Sequence, residues 1–224
     1  MGPRRGKLVQ QVPASAEPDD LDTPKPARRF PGTAFDVVAL ASSAGGIAAI
    51  GRILESLPAG FPAAIVVVQH LDPRHRSLMA EILRRRTHLE VLQAAEGDQI
   101  RPGTVHIAPP DRHLLVNRDG SLSLTQSELV HFVRPSADLL FESVAASYRE
   151  RAIAVVLTGT GSDGSLGIGA IKKMGGTVIA QDQDSAEFFG MPAAAIKSGH
   201  ADFILRLAEI PPALATLVAE GVVR

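Results

Sequence analysis

The chain has 224 residues, 45% of them hydrophobic and 21% charged, with a formal net charge of -1, values close to the globular average. It contains no cysteine, which excludes thiol nucleophiles, disulfide scaffolds and Cys-ligated zinc and suits a reducing compartment. The longest clearly apolar stretch, 61–68, falls far short of the roughly 20 residues a membrane-spanning helix requires. Near-neutral charge, one Tyr and no Trp argue against a nucleic-acid stripe or a base-stacking platform.

Residues 1–34 hold six of the 16 prolines, with clustered charges and no hydrophobic period. Such a segment buries too little apolar area to offset its ordering entropy and is expected to be a flexible leader. Residues 35–224 are expected to form a single domain. No secretory apolar region follows the first basic residues, so a cytoplasmic address is expected.

From Phe35 onward, apolar runs alternate with helix-period segments. Strands are predicted at 36–41 (DVVALA), 63–69 (AAIVVVQ), 89–93, 104–108, 113–116, within 151–158, at 177–180 and at 202–205. Between them, Ile47, Ile50, Leu54 and Leu57 mark a helix that stops at Pro58. Others are predicted at about 77–86, after Ser136 as N-cap, from near Asp163 to the Gly175-Gly176 stop, at 193–197 and at 208–219. Near-continuous Val/Ile/Ala strands imply a sheet covered on both faces. The fold class is therefore α/β, a three-layer α/β/α architecture with a doubly wound, mostly parallel sheet.

In such sheets ligands bind beyond the carboxyl ends of the strands, and three loops there carry reactive residue types. Ala41-Ser42-Ser43-Ala44-Gly45-Gly46 has small residues that permit a tight turn and helix-start amides able to hold an anion. It is a partial nucleophile elbow, or simply a serine-capped helix. Gln69-His70-Leu71-Asp72 places an imidazole directly after a strand; the spacing of His70, Asp72 and His75 matches no familiar metal motif. Gly159-Thr160-Gly161-Ser162-Asp163-Gly164 spells G-x-G-x-x-G, with Asp182 at the end of the next strand where a dinucleotide site would want a ribose-binding acid. Asp163, however, puts a negative charge where pyrophosphate would have to bind, while the start of the following helix would stabilise an ionised carboxylate. Together the loops supply a hydroxyl, an imidazole and a carboxylate, the components of a Ser-His-Asp relay.

The segments Ala-Ser-Ser-Ala-Gly-Gly (41–46), Gln-His (69–70), Val-Arg-Pro-Ser-Ala-Asp-Leu-Leu-Phe (133–141), Leu-Thr-Gly-Thr-Gly-Ser-Asp-Gly (157–164) and Phe-Gly-Met-Pro (189–192) resemble, in order and spacing, the catalytic domain of the chemotaxis protein-glutamate methylesterases, the CheB family. The resemblance implies Ser43 as nucleophile, His70 as general base and then acid, and Asp163 as the orienting carboxylate. It also implies hydrolysis of γ-glutamyl methyl esters on chemoreceptor helices to glutamate and methanol, with glutamine deamidation in many members. No cofactor and no metal is implied. Backbone groups at Thr160, Gly161 and Ala44 are the candidate oxyanion and substrate-positioning elements. Ala44 replaces the family's usual Thr, Thr160 a frequent Met, and Val133 a frequent His. Thirty-four leading residues are too few for the family's usual receiver domain, so a separate response regulator or a methyltransferase is a further expected partner. The competing readings are an inactive, esterase-like docking module and a dinucleotide-binding protein using Gly159–Gly164 with Asp182.

Overall fold

Alternation along each strand decides which side of the sheet a side chain covers. In the computed structural model, which describes residues 28–71 and 77–219, strand β1 spans Val37–Ser42 and is buried throughout. Val37, Ala39 and Ala41 join one core cluster; Val38 and Leu40 join the other. Six further strands extend the sheet: β2 (Ala64–Gln69), β3 (Glu90–Gln93), β4 (Thr104–Ile107), β7 (Ala152–Val156), β8 (Thr177–Gln181) and β9 (Phe203–Leu205). They run in the order β3-β4-β2-β1-β7-β8-β9, every pair parallel. A separate antiparallel hairpin joins β5 (His113–Val116) to β6 (Leu122–Thr125).

Helices α1 (Gly46–Ser56), α2 (Met79–Arg84) and α6 (Ile210–Ala219) cover one face through Ile50, Ile53, Leu54, Met79, Leu83, Ile210 and Leu214. Helices α3 (Ala137–Tyr148), α4 (Gly167–Lys173) and α5 (Gly190–Lys197), with the hairpin, cover the other. On that second face the strands present Ala39, Ala41, Ala152, Ala154 and Ala180, short side chains that leave room for Leu140, Phe141 and Val144 of α3 to be fully buried. The architecture is the expected three-layer α/β/α. The chain winds from β1 outward in one direction through β2 and β4, then resumes beside β1 at β7 and winds the other way. The crevice beyond β1 and β7 is therefore the topological switch point.

Three features depart from the sequence expectation. Strand β6 was not predicted; its Leu122-Ser-Leu-Thr125 pattern is short, and its pairing with β5 is directed by the turn at 117–120, where Gly120 has φ +82°. The helix expected to start near Asp163 begins only at Gly167. The expected leader ran to residue 34, yet Phe30 is buried in the core and its N–H donates to Asp36 Oδ1 at 2.8 Å. Asp36 is fully buried, and Arg151 meets both its oxygens, Nε to Oδ2 at 2.6 Å and NH2 to Oδ1 at 2.8 Å. Arg151 also donates to the Thr33 carbonyl, at 2.8 Å. Residues 28–34 thus belong to the packed domain, and the rest of the expected leader, 1–27, lies outside the described residues.

Candidate active site

Ser43 and His70 follow strands that are nearest neighbours. Ser42 of β1 is in register with Gln69 of β2, so the next residue on each strand leaves the sheet side by side, one strand spacing (about 4.8 Å) apart. The ladder continues past the strand ends: His70 N–H donates to Ser42 O at 3.1 Å and Ser43 N–H to Thr158 O at 3.0 Å. The buried Gln69 side chain locks this corner. Its Nε2 donates to Ser43 O at 2.7 Å and to His70 O at 2.9 Å, while its Oε1 accepts from Ser42 Oγ at 2.6 Å. Room for that amide exists because position 46 is glycine; a Cβ there would sit 2.0 Å from Gln69 Oε1.

Asp163 reaches the same corner from beyond β7. Its Oδ2 lies 2.8 Å from His70 Nε2, with only 12% and 3% of the two side chains exposed. The carboxylate also accepts from Ala137 N–H at 2.6 Å, Ser136 Oγ at 2.8 Å and Asp138 N–H at 3.2 Å. Burial alone would raise its pKa, but the bonds from His70, Ala137, Ser136 and Asp138 outweigh it and hold Asp163 below the usual carboxylate range. The helix N-terminus that stabilises Asp163 is therefore that of α3, not that of the helix following its own loop as expected. Ser136 occupies the N-cap position of α3 but makes no side-chain cap bond; it surrenders the capping role to Asp163 and donates its hydroxyl instead.

The reciprocal contact disposes of the dinucleotide reading. The amides at the start of α4, Leu166 and Gly167, donate to Asp138 Oδ1 at 3.0 and 2.7 Å. A carboxylate already fills the place a pyrophosphate would take. Asp182 is engaged in its own turn, accepting from Ser185 N–H at 3.1 Å and Ser185 Oγ at 2.5 Å.

The structure thus brings His70 and Asp163 into direct contact and sets Ser43 beside them, with its hydroxyl bonded to no described residue. Loop 159–161 closes over Ser43: a Cβ on Gly159 would meet Met191 Sδ at 2.4 Å and Ser43 Cβ at 2.8 Å. The N–H groups of Ala44, Thr160 and Gly161 donate to no described residue, whereas that of Ser43 is consumed by Thr158 O. Asp72 and His75 lie outside the described residues. Sequence reasoning missed the parts played by Gln69, Ser136 and Asp138. A glutamine closing an otherwise apolar strand, AIVVVQ, was the available signal for the first.

Comparison with known proteins gives the lineage. Residues 38–214 match the profile of the CheB methylesterase family. The chain is 42% identical over 198 residues to a protein-glutamate methylesterase/protein-glutamine glutaminase of Moorella thermoacetica, covering 86% of this chain and 47% of the relative. A protein of the same description from Thermotoga maritima is 40% identical over 191 residues, 84% of this chain and 56% of the relative. The chain therefore spans about half the length of these curated relatives. The crystal structure of the Thermotoga maritima CheB methylesterase catalytic domain superposes with a TM-score of 0.79 at 40% identity, covering 82% of this chain and 99% of that one. On the profile match, the identity and the shared fold, this chain belongs to the CheB methylesterase family.

Proposed function

We propose that the protein is a serine esterase that hydrolyses γ-glutamyl methyl esters on the cytoplasmic helices of methylated chemoreceptors, releasing methanol. The observation that carries this reading is the buried contact between His70 Nε2 and Asp163 Oδ2 beside Ser43. An ionised Asp163 only accepts, so the neutral imidazole carries its proton on Nε2 and keeps the Nδ1 lone pair for the Ser43 hydroxyl. Ser43 Oγ attacks the ester carbonyl as Nδ1 takes its proton, and Asp163 steadies the imidazolium. The resulting oxyanion is stabilised by N–H donors, for which Ala44, Thr160 and Gly161 have the free amides. Collapse of the intermediate expels methanol, which receives the proton from His70; a water then repeats the sequence and frees the glutamate carboxylate. The same acyl-enzyme chemistry applied to a glutamine side chain releases ammonia, in keeping with the glutaminase description of the relatives.

The surroundings suit an apolar helical substrate rather than a small molecule. Exposed Leu166 adjoins the Asp138 cap, exposed Phe188 bonds the Thr158–Gly159 segment through its backbone, and Phe132 is 95% exposed next to His131. Among the described residues no helix is long and apolar enough to cross a membrane. The test is stoichiometric labelling of Ser43 by a fluorophosphonate together with methanol release from methylated receptor. Full activity in Ser43→Ala would overturn the reading.

A further inference from the structure

Two chain segments far apart in sequence, 136–138 and 163–167, grip each other in both directions. The first donates three hydrogen bonds to Asp163, from Ser136 Oγ, Ala137 N–H and Asp138 N–H. The second donates two back, from Leu166 and Gly167 N–H to Asp138 Oδ1. The backbones touch as well, since a Cβ on Gly167 would lie 2.7 Å from Asp138 O. Each carboxylate thus caps the helix that the other belongs to or precedes. Asp138 both gives and receives in this exchange. Its remaining oxygen, Oδ2, lies 3.1 Å from His131 Nε2.

The geometry ties this exchange to the reaction. Asp163 Oδ2 accepts from Ala137 N–H and faces His70 Nε2 at the same time. Any rotation of the 163–167 loop about its α3 contacts therefore swings the oxygen that holds the imidazole. We propose that Asp138 is a positioning residue for the Ser43 reaction: by anchoring Leu166 and Gly167 it fixes the far end of the Asp163 loop and so the orientation of His70. The role is hydrogen-bonded anchoring, and an amide oxygen at the same place serves it. This inference rests on the serine-esterase reading above.

The test compares full-length wild type, Asp138→Ala and Asp138→Asn by the rate at which a fluorophosphonate labels Ser43, at a temperature well below the melting point of each. In Asp138→Ala the saturating labelling rate is expected to fall at least about tenfold, as for a sub-ångström misplacement of a catalytic group. The half-saturating probe concentration is expected to stay within about twofold, because Asp138 does not touch the probe. Asp138→Asn is expected to recover most of the rate, since its Oδ1 accepts the same two N–H groups. If Asp138→Ala gives no folded protein, Asp138→Glu, which displaces the oxygen by one methylene, is expected to show the same loss of rate at unchanged half-saturation. Wild-type labelling rates in the folded Ala or Glu variant, or an Asn variant no faster than Ala, would overturn the inference while leaving the esterase reading intact. Absence of Ser43 labelling in the wild type would instead sink the esterase reading and this inference with it.

Discussion

His70 Nε2 and Asp163 Oδ2 stand 2.8 Å apart in a pocket where the aspartate is 97% buried and already holds three donors from the start of α3. The pair is pre-oriented by a helix terminus rather than by solvent. Replacing Asp163 with Asn keeps the size but presents an N–H₂ group or a neutral oxygen to the ring. The imidazole tautomer is then no longer fixed, and kcat for ester hydrolysis is expected to fall by about 10³–10⁴. Steady-state kinetics of methanol release check this, with circular dichroism confirming that the fold survives.

The same carboxylate is expected to contribute to stability in a pH-dependent way. Its folded pKa is depressed despite burial, so its contribution is fully present above the unfolded value of about 3.9 and is lost as the pH falls through the folded value. Asp138 has the opposite sign, because burial, reinforced by the charge of Asp163, raises its pKa; its ionisation costs stability as pH rises. The stability gap between wild type and Asp163→Asn is therefore expected to be widest near neutrality and to narrow in acid. Urea denaturation at a series of pH values measures it, and a gap that widens below about pH 4 contradicts the assignment.

Gly159 is predicted to tolerate no side chain. A Cβ there meets both the sulfur of buried Met191 and the Cβ and N of Ser43. Shortening Met191 relieves only the first clash. Gly159→Ala is expected to lower kcat by about a hundredfold, the scale of an ångström-sized displacement of a reacting group. Adding Met191→Ala removes the sulfur clash but opens a cavity in the core, so the double variant is expected to recover neither the rate nor full stability, as thermal melts and single-turnover labelling will show.

At the opposite end of the sheet, Arg151 neutralises the fully buried Asp36 with paired short hydrogen bonds. Arg151→Ala strands that carboxylate and is expected to cost about 3–5 kcal/mol. For a domain of this size that corresponds to a melting temperature lower by about 6–20 °C. Because the pair lies far from the strand ends that carry Ser43, the labelling rate of the folded fraction is expected to be unchanged.

What was legible in the sequence was what short-range pattern encodes. Continuous apolar strands such as AIVVVQ announced the parallel sheet, and the loops that follow strands led to the candidates Ser43, His70 and Asp163. Partnership between loops was less legible. Ser136 followed the local rule for an N-cap, but a carboxylate arriving from 27 positions away took that place. The start of α4 was misplaced for the same reason, since its cap, Asp138, comes from 29 positions upstream. The packing of Phe30 was hidden because its anchor, Asp36 with Arg151, assembles only when β1 and β7 lie side by side.

The order of strands carries a consequence for how this protein comes to life. The serine, the imidazole and the acid are dealt out by three different β-α units, and the acid is synthesised 93 residues after the ring it must hold. On the serine-esterase reading, a chain in which β7 has not docked against β1 is expected to carry Ser43 without the His70–Asp163 pair that would activate it. On that reading, turnover is expected to require completion of the sheet and to report global folding rather than any one local motif.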